Sequence, residues 1–204
     1  GNRAFHSNPE IVADLAHAFM TGMHHGGMAA TGKHFPGHGG VAHDSHLALP
    51  EDRRDLDAIA GEDLVAFKRM IHYGIEGIMP AHIKYPLIDE QPAGYSSIWI
   101  QQILRQQLGF QGVVFSDDLS MKGAENAGGP VERAQKAMAA GCDMVLICND
   151  QDAANQILEG LKEPMDPASL LRLAHMHGRV IEKREIILAS EHYQQSKEMI
   201  QHLV

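Results

Sequence analysis

Apolar residues recur every four positions at Ile11, Leu15, Phe19 and Met23, behind Asn8-Pro9, a side-chain cap followed by the residue best suited to a helix's first position. The pattern predicts an amphipathic helix that stops near Gly26-Gly27. Met28 to His34 then reads as a short strand feeding the loop Phe35-Pro36-Gly37-His38-Gly39-Gly40, whose glycines and proline exclude continued regular structure. The order of helix then strand returns three times. A helix through Leu64, Phe67 and Ile71 stops at Gly74 before the buried strand Gly77 to Pro80, which runs out at His82. A helix capped by Ser97 through Ile100, Ile103, Leu104 and Leu108 closes at Gly109, and the apolar strand Gly112 to Phe115 ends at Ser116-Asp117. Pro130 opens a helix through Ala134 and Met138 to Gly141, followed by a strand from Asp143 to Ile147 and a polar stop at Asn149-Asp150. From Gln151 onward only helical patterning is seen, through Ile157, Leu161, Leu170, Leu173 and Ile181, with a polar tail over residues 191–201.

Four buried strands alternating with helices predict a parallel α/β sheet, in which ligands gather at the carboxyl ends of the strands. Those ends carry the polar residues Lys33-His34, His82, Asp117 and Asn149, as on the face of a (β/α) barrel. A closed barrel needs eight strands. The division expected is residues 1–150 as half of such a barrel and residues 151–204 as a helical segment packing on it.

Composition narrows the class. The 204 residues, 44% hydrophobic and 21% charged, suit a globular protein with no apolar run long enough to span a bilayer. An excess of 26 acidic over 17 basic residues, a net charge of -9, opposes attraction to phosphate, so neither nucleic acid nor membrane is expected as a partner. Two cysteines cannot build a disulfide framework; Cys148, in an apolar run, reads as a small buried thiol, and this usage fits a reducing cytoplasm. Because the chain opens on Gly1 rather than Met, a removed targeting segment stays open.

The densest chemistry lies between Lys33 and His46. Three readings are open for its imidazoles: an acid/base pair of His46 oriented by Asp44, a metal site of His34, His38, His43 and His46, or solvated loop residues. Asp117 leaves a buried strand, a costly place for a charge unless a cavity or partner compensates, although Asp117 or Asp118 could instead cap the next segment.

The run from Ile103 to Ser120, with Val113-Val114-Phe115-Ser116-Asp117-Asp118 at its centre, resembles the nucleophile signature of family 3 glycoside hydrolases. With residues 32–39 and Asp44-Ser45-His46 it resembles in particular the family's bacterial cytoplasmic β-N-acetylglucosaminidases of peptidoglycan recycling, over Arg3 to about Asn149. The resemblance implies a TIM-type (β/α)8 barrel of which this chain holds the last four βα strands plus C-terminal helices. It implies Asp117 as nucleophile, His46 as acid/base and Asp44 as its support, with Arg3, Lys33 and His34 holding the terminal sugar. No metal or other cofactor is implied, and His38, His43 and His82 carry no assigned role. The implied reaction removes terminal N-acetylglucosamine from anhydromuropeptides with retention, through a glycosyl-aspartate intermediate. Most retaining glycosidases use two carboxyl groups about 5 to 5.5 Å apart; a neutral imidazole in place of one would not repel an anionic acceptor, so phosphorolysis is a secondary expectation. The family's barrel has strands and sugar ligands upstream of Arg3. A half barrel would expose a sheet edge and favour self-association, so two alternatives are kept: a noncatalytic fragment or assembly partner, and a metal-dependent barrel hydrolase using the histidines.

Overall fold

The computed structural model describes residues 4–41, 49–162 and 166–202. Its centre is a four-stranded parallel sheet in the order β1 (Thr31–Phe35), β2 (Gly77–Pro80), β5 (Val113–Asp118) and β6 (Met144–Leu146). A separate antiparallel pair, β3 (Lys84–Tyr85) and β4 (Asp89–Pro92), lies in the connection after β2. Helix α1 (Pro9–His25) precedes β1, α2 (Leu56–Gly61) and α3 (Asp63–His72) precede β2, and α5 (Pro130–Ala140) precedes β6. The short α4 (Lys122–Glu125) follows β5, and α6 (Gln151–Gly160), α7 (Pro167–Ala174), α8 (Arg184–Ala189) and α9 (Glu191–Gln201) complete the chain. The alternation of helix and strand read from the hydrophobic pattern is therefore observed, as is the wholly helical character after Gln151 among the described residues.

Local chemistry explains most boundaries. The Asn8 side chain accepts the N–H of Glu10 and Pro9 opens α1, while Asp55, Asp150 and Asp166 cap α2, α6 and α7 in the same manner. Helix α5 ends on Gly141 at φ 116°, a conformation in which an added Cβ would collide with Gln101. Three expectations are corrected. The segment Ile98–Gln107 is wound as a π-helix, and Ser96 rather than Ser97 caps it, its Oγ accepting the Trp99 N–H at 3.1 Å. Strand β5 runs through Asp118 instead of stopping at Asp117, because Asp118 still pairs with Leu146 of β6. Tyr85 closes a hairpin that the alternating pattern did not announce, its two strands being too short to show a period.

The core between sheet and helices centres on Phe35 and Trp99, both fully buried, whose rings meet edge to face at 6.0 Å; Phe67 and Tyr85 complete the cluster at 5.3 and 4.9 Å from one or the other. Burying one such side chain stabilises by about 1.5–3 kcal/mol, so Phe35, one residue beyond His34, fixes the end of β1 firmly. At the opposite end of the sheet Asp143 is 3% exposed and accepts hydrogen bonds from Arg105, Arg172, Ser169 and the Val114 N–H, tying β5, α7 and the π-helical segment together. Among the described residues β1 and β6 are the sheet's edges, and no helix is long and apolar enough to cross a membrane.

Candidate active site

Because β1, β2, β5 and β6 are parallel, their carboxyl ends share one rim, and of the polar residues predicted there His34, His82 and Asp117 come together on it. Asp117 is 7% exposed; its Oδ1 accepts the N–H of Asp118 at 2.8 Å, and its Oδ2 lies 3.7 Å from Nε2 of His34. That distance is an ion-pair separation when the imidazole is protonated and is too long for a direct hydrogen bond. Lys33, one residue before His34 in β1, is exposed, and the His38 ring sits 6.2 Å from that of His34. His82, at the end of β2, is buried, with Nε2 3.1 Å from the main-chain oxygen of Asp118.

The run Ser116-Asp117-Asp118 divides its work by the two-residue period of a strand. Ser116 Oγ accepts the Leu146 N–H at 2.9 Å, and Asp118 Oδ1 accepts the Cys148 N–H at 2.9 Å, so two side chains two apart engage two amides two apart. Asp118 also takes the N–H and hydroxyl of Ser120. Burial pushes its carboxyl upward, but these bonds outweigh it and hold the group below the usual carboxylate range. Asp118 is thus committed to capping and stitching, the role that either aspartate could have taken, while Asp117 is not.

The expectation that Cys148 is buried is overturned. It is exposed, because β6 ends at Leu146 and the chain turns outward to Asn149 at φ 57°. Burial and the Asp118 charge raise its thiol pKa, which keeps it protonated. Cys142 is the buried thiol, pushed up to about 12 by burial.

Sequence reasoning missed the supports of the loop between β1 and α2. The Tyr85 hydroxyl donates to the Gly37 carbonyl at 2.7 Å, and Asp63 accepts the Gly39 N–H at 3.1 Å. Arg54 bridges Asp63 at 2.6 Å to Asp52 at 2.7 Å, and the Asp52 N–H reaches the Lys84 carbonyl at 2.8 Å, so residues on both sides of the 42–48 segment are tied to one ion cluster. The guanidinium is held above its ordinary range chiefly by the Asp52 bonds, against its burial. The one available signal was the alternation of charge in Glu51-Asp52-Arg53-Arg54-Asp55, which reads equally well as a solvated turn. Arg3, Asp44 and His46 lie outside the described residues, as does His43; among the described residues no group of three or more His, Cys, Asp or Glu could hold a metal ion.

Residues 1–176 match the family model described as the glycosyl hydrolase family 3 N terminal domain. The chain belongs to glycosyl hydrolase family 3. That domain is a TIM-type barrel, and the four parallel strands with their helices are the part of it described here. A beta-hexosaminidase of Thioalkalivibrio sulfidiphilus is 59% identical over 179 residues, covering 88% of this chain and 51% of that protein. The crystal structure of NagZ from Neisseria gonorrhoeae in complex with N-trifluoroacetyl-D-glucosamine superposes with a TM-score of 0.90 at 43% identity, covering 100% of this chain and 58% of that one. NagZ from the same organism in complex with zinc ion gives 0.87 at 42% identity, covering 97% of this chain and 56% of that one. The chain spans about half the length of the curated relatives it matches.

Proposed function

We propose that this chain carries the nucleophile half of a retaining β-N-acetylhexosaminidase, with Asp117 attacking the anomeric carbon of a terminal N-acetylglucosamine. The observation that supports this most is the contrast between two adjacent carboxylates. Asp118 is consumed by Ser120 and Cys148, whereas Asp117 keeps Oδ2 at the strand-end rim beside His34. In this reading His46, oriented by Asp44, protonates the leaving oxygen and then activates water, and Lys33, His34 and Arg3 hold the sugar. The likeness to a hexosaminidase and to a NagZ bound to an N-acylglucosamine supports that choice of sugar. Residues 1–150 act as the half barrel and 151–204 as its helical flank. The finer reading is a cytoplasmic enzyme of peptidoglycan recycling that acts on GlcNAc-anhydromuropeptides.

The test is release of nitrophenol from an aryl N-acetyl-β-glucosaminide by this chain, by Asp117→Ala and by His46→Ala. Hydrolysis by the unmodified chain that disappears in both variants is expected; hydrolysis that persists in Asp117→Ala overturns the mechanism. A second reading is a noncatalytic assembly partner, whose signature is no turnover alone and turnover on addition of a complementary half barrel. Loss of hydrolysis on chelation, with stoichiometric zinc in the protein, would replace the His-Asp pair by a metal.

A further inference from the structure

His82 is 1% exposed at the end of β2, and the atom its Nε2 meets at 3.1 Å is a carbonyl oxygen, that of Asp118. A carbonyl only accepts, so Nε2 carries the ring's proton and Nδ1 is a bare lone pair. Nδ1 is buried without a hydrogen-bond partner among the described residues, against Gly94, where an added Cβ would stand 3.8 Å away, and its ring lies 5.8 Å from that of Tyr95. A second proton there would have no acceptor among the described residues. Burial lowers the imidazole's basicity and Arg133 adds to the effect, against the pull of Asp117 and Asp118. His82 is therefore a neutral donor with one fixed target.

That target controls Asp117. The Asp118 carbonyl accepts from His82 and from the Met121 N–H at 3.2 Å, its carboxylate is held by Ser120 and Cys148, and its own N–H occupies Asp117 Oδ1 at 2.8 Å. The two oxygens of Asp117 are thereby made unequal: Oδ1 is engaged by a fixed peptide, and Oδ2 is the one 3.7 Å from His34. We infer that Oδ2 is the oxygen that attacks the sugar, and that His82 is a positioning residue which selects it by holding the Asp118 main chain, whose carbonyl lies in the 118–119 peptide and whose N–H, in the 117–118 peptide, engages Oδ1. The inference rests on the reading of Asp117 as nucleophile. In the step, Oδ2 forms a bond to the anomeric carbon while the bond from that carbon to the leaving oxygen breaks. The electron pair goes to the leaving oxygen, which takes its proton from His46, and Oδ1 becomes the ester carbonyl, still accepting the Asp118 N–H. A rotation at the Asp118 Cα, which links the carbonyl held by His82 to the N–H on Oδ1, would swing Oδ2 off line, and a displacement of an ångström at a reacting atom costs about 10²-fold in rate.

The test compares the 204-residue chain with His82→Gln, whose amide nitrogen reaches the position of Nε2, and His82→Asn, which is one carbon too short. Mass spectrometry follows glycosylation of Asp117 by a slow fluorinated N-acetylglucosaminide. Asn is expected to slow trapping about 10²-fold while apparent substrate affinity stays within about threefold, and Gln is expected to restore most of the rate. Equal trapping in Asn and parent, or a loss carried by affinity alone, overturns the inference. Ring nitrogen shifts of His82 in the unmodified chain give a check independent of variant folding: the Nε2–H tautomer is expected, and the Nδ1–H tautomer overturns the positioning role by itself. Absence of any adduct on the unmodified chain overturns the nucleophile reading and this inference with it; an adduct together with the wrong tautomer overturns this inference alone.

Discussion

Replacing Asp117 and Asp118 one at a time by Ala separates a residue kept for chemistry from one kept for the fold. Asp118 accepts three donors, the N–H and O–H of Ser120 and the N–H of Cys148, at 2.7–2.9 Å. A hydrogen bond to a charged acceptor contributes about 1.5–3 kcal/mol. The three do not simply add, because Cys148 is exposed and Asp118 only half-buried, so freed donors regain water and the charge is screened. A loss of about 2–3 kcal/mol is expected for Asp118→Ala. Asp117 differs: among the described residues its carboxylate meets a neighbouring N–H and an imidazole 3.7 Å away, thin compensation for a charge that is 7% exposed. Asp117→Ala is expected to leave stability unchanged or raise it by up to about 1 kcal/mol, the exchange of stability for activity seen at functional sites. Urea unfolding reads both. With a slope of about 2–3 kcal/mol per molar, Asp118→Ala moves the midpoint down by about 1 M, while Asp117→Ala leaves it in place or moves it up. The reverse order would refute the division of labour.

Arg54→Ala strands Asp52, 3% exposed, beside Asp63; breaking a buried pair costs about 3–5 kcal/mol, and with the Arg54 side chain 25% exposed about 2–3 kcal/mol is expected in a thermal or urea midpoint. Arg54→Lys should recover only part of this, since a point charge cannot fork across two carboxylates. Because burial lowers the pKa of His82 in the fold, the unfolded chain binds more protons at this site below the ordinary value of 6.5. The stability tied to His82 is complete above that pH and falls as pH drops toward the folded value. Urea midpoints between pH 7.5 and 5.5 should therefore fall less steeply in His82→Gln than in the parent. Lys33→Ala should raise KM about tenfold, the equivalent of one charge-assisted hydrogen bond, with kcat nearly unchanged in the nitrophenol assay.

The alternation of helices and strands was legible because β2, β5 and β6 begin as short apolar runs that follow a glycine, and α1, α2, α5, α6 and α7 carry a side-chain cap or an opening proline. Asn8-Pro9, Asp150 and Gly141 act where local chemistry says they should. What was not legible depends on partners distant in sequence. Ser96 caps the segment after β4 instead of Ser97, and nothing local separates two adjacent serines. Cys148 is exposed because β6 stops two residues earlier, where the ladder to β5 shifts register. The Arg54 cluster draws on Asp63, which a sequence pattern assigns simply to the first turn of a helix.

The Ser116-Asp117-Asp118 run explains why a nucleophile can sit in so costly a place. Between Phe115 and Asp118 the β5–β6 ladder loses its register, which leaves the Leu146 and Cys148 amides to be satisfied by something other than strand carbonyls. Ser116 and Asp118 satisfy them with side chains, and a strand that turns residues 116 and 118 to that task must turn residue 117 away. Irregular pairing and a carboxylate turned away from β6 are thus one feature: regular pairing would leave Asp118 without its bond to Cys148, and its main chain would lose one of the anchors that keep its N–H aimed at Asp117. It follows that a substitution restoring regular pairing, such as Ser116→Val, should disturb Asp117 more than its own distance from the sugar suggests. Its effect should appear in the rate of adduct formation rather than in substrate affinity, and a purely affinity-based loss would show that the stitch and the nucleophile are independent.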